Sequence, residues 1–195
     1  MHSIATIVEG ESEVQSVPVL LRRQLGRLAR PDINVAKPFR VHRNRVVKAG
    51  ELERAILQVI RSRENVAGLL IILDADDDPA AQLENELHER CTRVTELPCR
   101  VVVAVREFES WFLAAKESLR GERGIRLDAL PPENPEAIRG AKERLTANMS
   151  NNRRYIETDD QPALVEKMDF EAARTRCPSF ERLLSSVADL VDAAT

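Results

Sequence analysis

Carboxylates follow three apolar runs in this chain of 195 residues. Glu9-Gly10-Glu11 follows Ile4 to Val8, Asp74-Ala75-Asp76-Asp77-Asp78 follows Gly68 to Leu73, and Glu107-Phe108-Glu109 follows Arg100 to Val105. Taken singly, each acid is better explained as a solvated loop residue or a helix cap. Gathered in one place, like charges raise the electrostatic energy unless a cation neutralises them or one keeps a proton. Oxygen donors without histidine or cysteine suit a hard divalent ion, so Mg²⁺ is the expected cofactor, with Mn²⁺ as its substitute. The expected ligand set is Glu9, Asp74, Asp76, Asp78, Glu107 and Glu109. Asp74 and Asp76, two apart in an extended turn, are expected to point the same way and share one ion, with Asp78 in phase. Asp77 is then expected to cap the helix starting at Pro79, and Gly10 to make a close-approach turn in which a Cβ would obstruct the ligand.

These acids can meet only if the three runs are neighbouring parallel strands, and the chain alternates accordingly. Ile4–Val8 reads as a strand and 11–28 as a helix with Val14, Val17, Leu21, Leu25 and Leu28 on one face, kinked by Pro18. Ile33–Val41 alternates at period two but contains Pro38, which marks an edge strand. Leu52, Ala55, Ile56, Val59 and Ile60 form a helical stripe. The apolar runs 68–73 and 100–105 are expected as strands buried on both faces, separated by a helix with Leu83, Leu87 and Cys91 inward. Four strands joined by helices predict an α/β fold of Rossmannoid, three-layer type with a small, mostly parallel sheet. Ligands of such sheets bind where the carboxyl ends of the strands emerge, which is where the acids stand.

Residues 1–116 are expected to form this catalytic core, and 117–195 a loop-rich helical extension packing on it as part of one structural domain. Pro131, Pro132 and Pro135 cluster in the extension. A short helix is expected over 137–149, irregular chain over 155–161, and a last helix capped by Ser179 with Phe180, Leu183, Leu184, Val187 and Leu190 inward.

Lysine plus arginine number 29 against 32 for aspartate plus glutamate, a net charge of −3, so no global positive field draws in polyanions. Contact with nucleic acid must be local. Arg40, Arg43, Arg45 and Lys48, uninterrupted by an acid, are candidates for phosphate contacts near the acidic edge, and Lys142 is another from the extension. Phe108, Trp111 and Phe112 at helical spacing read as core. Cys91, Cys99 and Cys177 form no CxxC pair, which points to reduced, buried thiols. The longest apolar run, Ala67 to Leu73, falls short of the roughly 18 residues of a membrane span. No signal-peptide pattern develops before Glu9, so the expectation is a cytoplasmic protein without membrane contact.

No phosphate loop, GxGxxG fingerprint or GxSxG elbow is present, so no nucleotide cofactor is expected. Val8-Glu9-Gly10 and Asp74-Ala75-Asp76 resemble the two motifs of Toprim domains, shared by topoisomerases, primases and overcoming-lysogenization-defect nucleases. With Arg40 to Arg45, Asp74 to Pro79, Arg106 to Ala114 and Cys177 to Phe180, the chain also resembles, over nearly its whole length, the Toprim-like family called domain of unknown function 4276. The resemblance implies Glu9 as general acid, general base or metal ligand and Asp74 and Asp76 as holders of Mg²⁺ for phosphoryl transfer on nucleic acid, with Glu107 and Glu109 serving a second metal. Two cations would clamp attacking water and leaving oxygen. It also implies an association with phage defence. Without strand-passage or zinc modules, hydrolysis is favoured over strand passage or priming. The alternatives are a noncatalytic nucleic-acid- or partner-binding component of a defence complex and a phosphatase of the haloacid-dehalogenase type. The last is disfavoured because Asp78 stands where that motif carries Thr or Val.

Overall fold

The computed structural model describes residues 2–194. Its centre is a five-stranded sheet in the order β2–β1–β4–β5, with β3 also on β1, and every pairing is parallel. The strands are β1 (Ser3–Val8), β2 (Asn34–Val35), β3 (Phe39–Arg40), β4 (Val66–Asp74) and β5 (Cys99–Ala104). The expected single strand over 33–41 is thus two short ones. Asn34–Val35 pairs with the start of β1 and Phe39–Arg40 with its end. Pro38, which lacks an N–H, lies in the gap between them.

Period-two alternation divides the strand residues between two apolar layers. Ile4, Val8, Leu70, Ile72, Val102 and Ala104 face one, together with α1 (Glu11–Arg27), α5 (Ser110–Ala114), α7 (Glu157–Lys167), α8 (Phe170–Arg176) and α9 (Pro178–Ala193). Ala5, Ile7, Leu69, Ile71, Leu73, Val101 and Val103 face the other, which α3 (Glu51–Arg61) and α4 (Ala80–Thr92) cover. The short helices α2 (Arg43–Val46) and α6 (Ala141–Ala147) lie at the carboxyl edge and in the extension. This is the expected α/β three-layer arrangement. Each fully buried Leu, Ile or Phe contributes roughly 1.5–3 kcal/mol. Gly68 lets α9 approach β4, since a Cβ there would sit 2.9 Å from Leu190 Cδ2.

The helix α1 is continuous across Pro18. Three local expectations are not met. Ser179 does not cap α9, because Cys177 takes the cap position and Pro178 the first turn. The Ser179 hydroxyl instead accepts a 2.8 Å hydrogen bond from Trp111 Nε1, deep in the core. The chain over 155–161 is not irregular throughout, since α7 starts at Glu157, with Glu157, Asp159 and Asp160 favouring its positive end. The expected helix over 137–149 is a 3₁₀ turn at Pro135–Ala137 followed by α6. Phe108, Trp111 and Phe112 are fully buried core residues as expected, and the three cysteines are free and buried. No described helix is long and apolar enough to cross a membrane.

Candidate functional site

Parallel pairing in register brings the strand ends together. Val8 pairs with Ile72 and Asp74 with Ala104, so Glu9, the turn after Asp74 and the segment 105–109 emerge along one edge. There the acids divide into two groups.

The inner group is Glu9, Glu13, Asp74 and Glu109. Asp74 Oδ1 accepts from the Phe108 amide at 2.8 Å, which turns it inward beneath the β5 exit loop. Burial, with the neighbouring Glu13, Glu109 and Glu9 carboxylates, raises its pKa well above the usual aspartate value. Glu13 is sealed in because its Oε2 accepts from the Gly10 amide at 2.6 Å and the Glu9 amide at 3.0 Å, closing the first turn of α1. Burial pushes its pKa to about 7; the Gly10 amide opposes that rise, and Glu109 and Glu9 add to it. Gly10 has extended backbone, and its missing Cβ leaves room for Glu13, whose carboxylate would lie 3.3 Å away. Burial and then Asp76 raise the Glu9 pKa against the pull of Arg43, the Asp74 amide and Lys142.

Glu109 is completely buried, and its Oε1 accepts from Tyr155 OH at 2.9 Å and Gln161 Nε2 at 3.1 Å. Burial raises its pKa, opposed by Lys142 and the Tyr155 hydroxyl. Glu109 Oε2 and Glu9 Oε2 are both buried without a hydrogen-bond partner. The extension supplies the cation facing this group, Lys142, whose ammonium pairs with Glu157 at 3.1 Å. Burial works against the Lys142 charge, but Glu109, Glu157 and Asp74 outweigh it and hold its pKa above the usual lysine value.

The outer group is Asp76, Asp77 and Asp78, all exposed. Asp76 adopts a left-handed backbone, φ 51°, and its amide donates to the Arg106 carbonyl at 2.9 Å. That conformation breaks the extended phase, so Asp74 and Asp76 do not point alike. Arg43 instead ties the turn together, meeting Asp76 at 3.3 Å, pairing with Asp78 and donating to the Asp74 and Ala75 carbonyls. Asp77 does not cap α4; it is held by Arg106 at 2.5 Å and Arg139 at 2.9 Å.

Glu107 belongs to neither group. Its carboxylate accepts from the Ala141 and Lys142 amides at 3.1 and 3.4 Å, closing the first turn of α6. Of the basic candidates, Arg40 pairs with Glu11 and Arg45 with Glu51, while Lys48 offers its carbonyl to Arg90. Arg40 also donates to the Glu9 carbonyl at 3.2 Å, Arg43 ties the Asp76–Asp78 turn, and the Lys142 charge faces the inner group. Sequence reasoning missed Glu13, for which the signal was a glutamate one helical turn beyond Glu9 and three beyond the helix-opening Gly10.

Among the described residues, no group of three or more His, Cys, Asp or Glu side chains is arranged as a ready-made metal cage. The inner group nonetheless fits a hard cation chemically: its donors are carboxylate oxygens, and two of them are buried without partners. A family model described as a domain of unknown function, DUF4276, matches residues 8–188. The chain belongs to this family. Within the DUF4276 match lie all four inner carboxylates together with Lys142, Tyr155 and Gln161. No curated protein and no solved structure matches the chain.

Proposed function

We propose that the carboxyl edge is the catalytic centre of a Mg²⁺- or Mn²⁺-dependent hydrolase of nucleic-acid phosphodiesters. The observation that carries this reading is the inner group itself, four carboxylates massed with two uncommitted buried oxygens beside a lysine ammonium. A protein that needed these residues only for folding would gain by replacing them with apolar ones, because buried charge without compensation costs several kcal/mol. The likeness of Val8-Glu9-Gly10 and Asp74-Ala75-Asp76 to Toprim motifs supports the same chemistry.

Asp74, Glu9 and Glu109 would hold the cation, with Glu13 behind them and Asp76 at the mouth. A bound divalent ion supplies charge neutralisation for the phosphoryl oxygens and a water of lowered pKa. Hydrolysis forms one P–O bond from water and breaks the ester P–O bond, and the departing oxygen takes a proton. Lys142, kept charged by its carboxylate neighbours, offers fixed positive charge for the negative charge that builds on the phosphorus oxygens. Arg43 orients the Asp76 turn and offers a second positive group at the mouth.

The test is incubation of purified protein with end-labelled single- and double-stranded DNA and RNA, with Mg²⁺, Mn²⁺ or a chelator. Cleavage that needs the cation and disappears in Asp74→Asn supports the reading. Cleavage undiminished in that variant, or no cleavage of any substrate, contradicts it. A second reading, a binding component that turns over nothing alone, is favoured by Leu127 and Leu130, which stand 78% and 66% exposed on the extension. It predicts stable association with a partner protein that Leu127→Ser with Leu130→Ser abolishes.

A further inference from the structure

Glu109 is held in an unusual way for a fully buried carboxylate. Both of its hydrogen bonds fall on one oxygen: Tyr155 OH and Gln161 Nε2 donate to Oε1, and Oε2 receives none. The donors are themselves fixed. Ser16 Oγ donates to Gln161 Oε1 at 2.6 Å, which sets the orientation of the amide so that its nitrogen faces Glu109. Tyr155 is pinned on both sides, its own amide on Thr146 Oγ1 at 3.1 Å and the next amide, Ile156, on Asp160 Oδ2 at 2.9 Å. Asp160 is in turn locked by Arg123 at 2.7 Å and by Arg153. Ser16, Gln161 and Glu109 are all buried, and they join α1, α7 and the β5 exit loop in one chain of hydrogen bonds.

A network serving only to satisfy a buried carboxylate would place donors on both oxygens, since each uncompensated buried polar atom costs about 1–3 kcal/mol. Here the donors spend one oxygen and leave the other. We infer that Tyr155 and Gln161, backed by Ser16, are positioning residues that fix Glu109 with Oε1 committed and Oε2 presented to a divalent cation. This rests on the cation-dependent reading of the site. It assigns the 117–195 extension a task in the site: the core provides Glu9, Glu13 and Asp74, and the extension sets the aim of Glu109. Outer-sphere partners of metal ligands typically control 10–100-fold in affinity, which sets the size of the effect.

The test is Mn²⁺ titration of the full chain by electron paramagnetic resonance, with thermal unfolding in parallel. Tyr155→Phe and Gln161→Leu are each expected to weaken Mn²⁺ binding about tenfold or more, and Ser16→Ala by less. A merely structural role would lower the melting temperature and leave Mn²⁺ affinity within about twofold of the wild type, and that result overturns the inference. Tyr155→Phe removes one atom and keeps the ring, so it decides the matter should Gln161→Leu not fold. If the wild type itself takes up no Mn²⁺, the cation reading fails, and crystal structures of cation-free wild type and Tyr155→Phe decide positioning separately. A displaced Glu109 carboxylate in the variant supports it, and an unmoved one overturns it.

Discussion

The inner carboxylates and the outer aspartates share a residue class and lie along one sheet edge, yet their surroundings are opposite. Asp76, Asp77 and Asp78 are exposed and each meets an arginine. Ion pairs of that kind are worth about 0–1 kcal/mol and need no ligand to explain them. Glu9, Glu13, Asp74 and Glu109 are sequestered together, their pKa values are all raised, and two of their oxygens have no partner. The inner group is set apart from the outer one by its burial and by two carboxylate oxygens without a hydrogen-bond partner.

The largest effect that would break this contrast concerns Asp74. Asp74→Asn is expected to reduce Mn²⁺ affinity by more than about 100-fold, beyond the range of outer-sphere changes, as read by calorimetry. A retained affinity would show that the inner group is not the site.

Next in size is the pH dependence of the cation-free protein. Glu13 has a folded pKa of about 7, above the unfolded value near 4.5. The folded state therefore binds the proton more tightly. That stability is fully present below the unfolded pKa and is lost as pH rises from about 4.5 to 7. Asp74, Glu9 and Glu109 are shifted in the same direction. The melting temperature should fall by about 5 °C or more between pH 5 and pH 8, at roughly 2–4 °C per kcal/mol for a domain of this size. Saturating Mn²⁺ should restore it, and Glu13→Gln should flatten the profile. A melting temperature that rises over that window would contradict the account.

The smallest effect belongs to the outer turn. Asp78→Asn is expected to change melting temperature by less than about 3 °C and Mn²⁺ affinity by less than about threefold, because it loses one exposed ion pair. Larger losses would move the centre outward.

The parallel sheet and the edge that carries the acids were legible in the sequence, because buried parallel strands read as continuous apolar runs and the topology rule places their ends together. Asp74 and Glu109 were legible for the same reason. What one-dimensional spacing could not carry was side-chain direction. The left-handed Asp76 depends on a hydrogen bond to Arg106, remote in sequence, and Glu107 is drawn to the α6 amides of a segment more than thirty residues on. Glu13 was hidden as a polar residue on the first turn of a helix, where acids are ordinary. Tyr155 and Gln161 resembled positions of the family's C-terminal pattern, but no role could be read for them, since their part is defined only by Glu109 across the fold.

The most direct test of the central claim is a crystal structure of the protein soaked in Mn²⁺, with the ion located by its anomalous scattering. The account predicts a peak bordered by Asp74, Glu9 and Glu109. A peak on the Asp76–Asp78 turn, or none at saturating Mn²⁺, would contradict it.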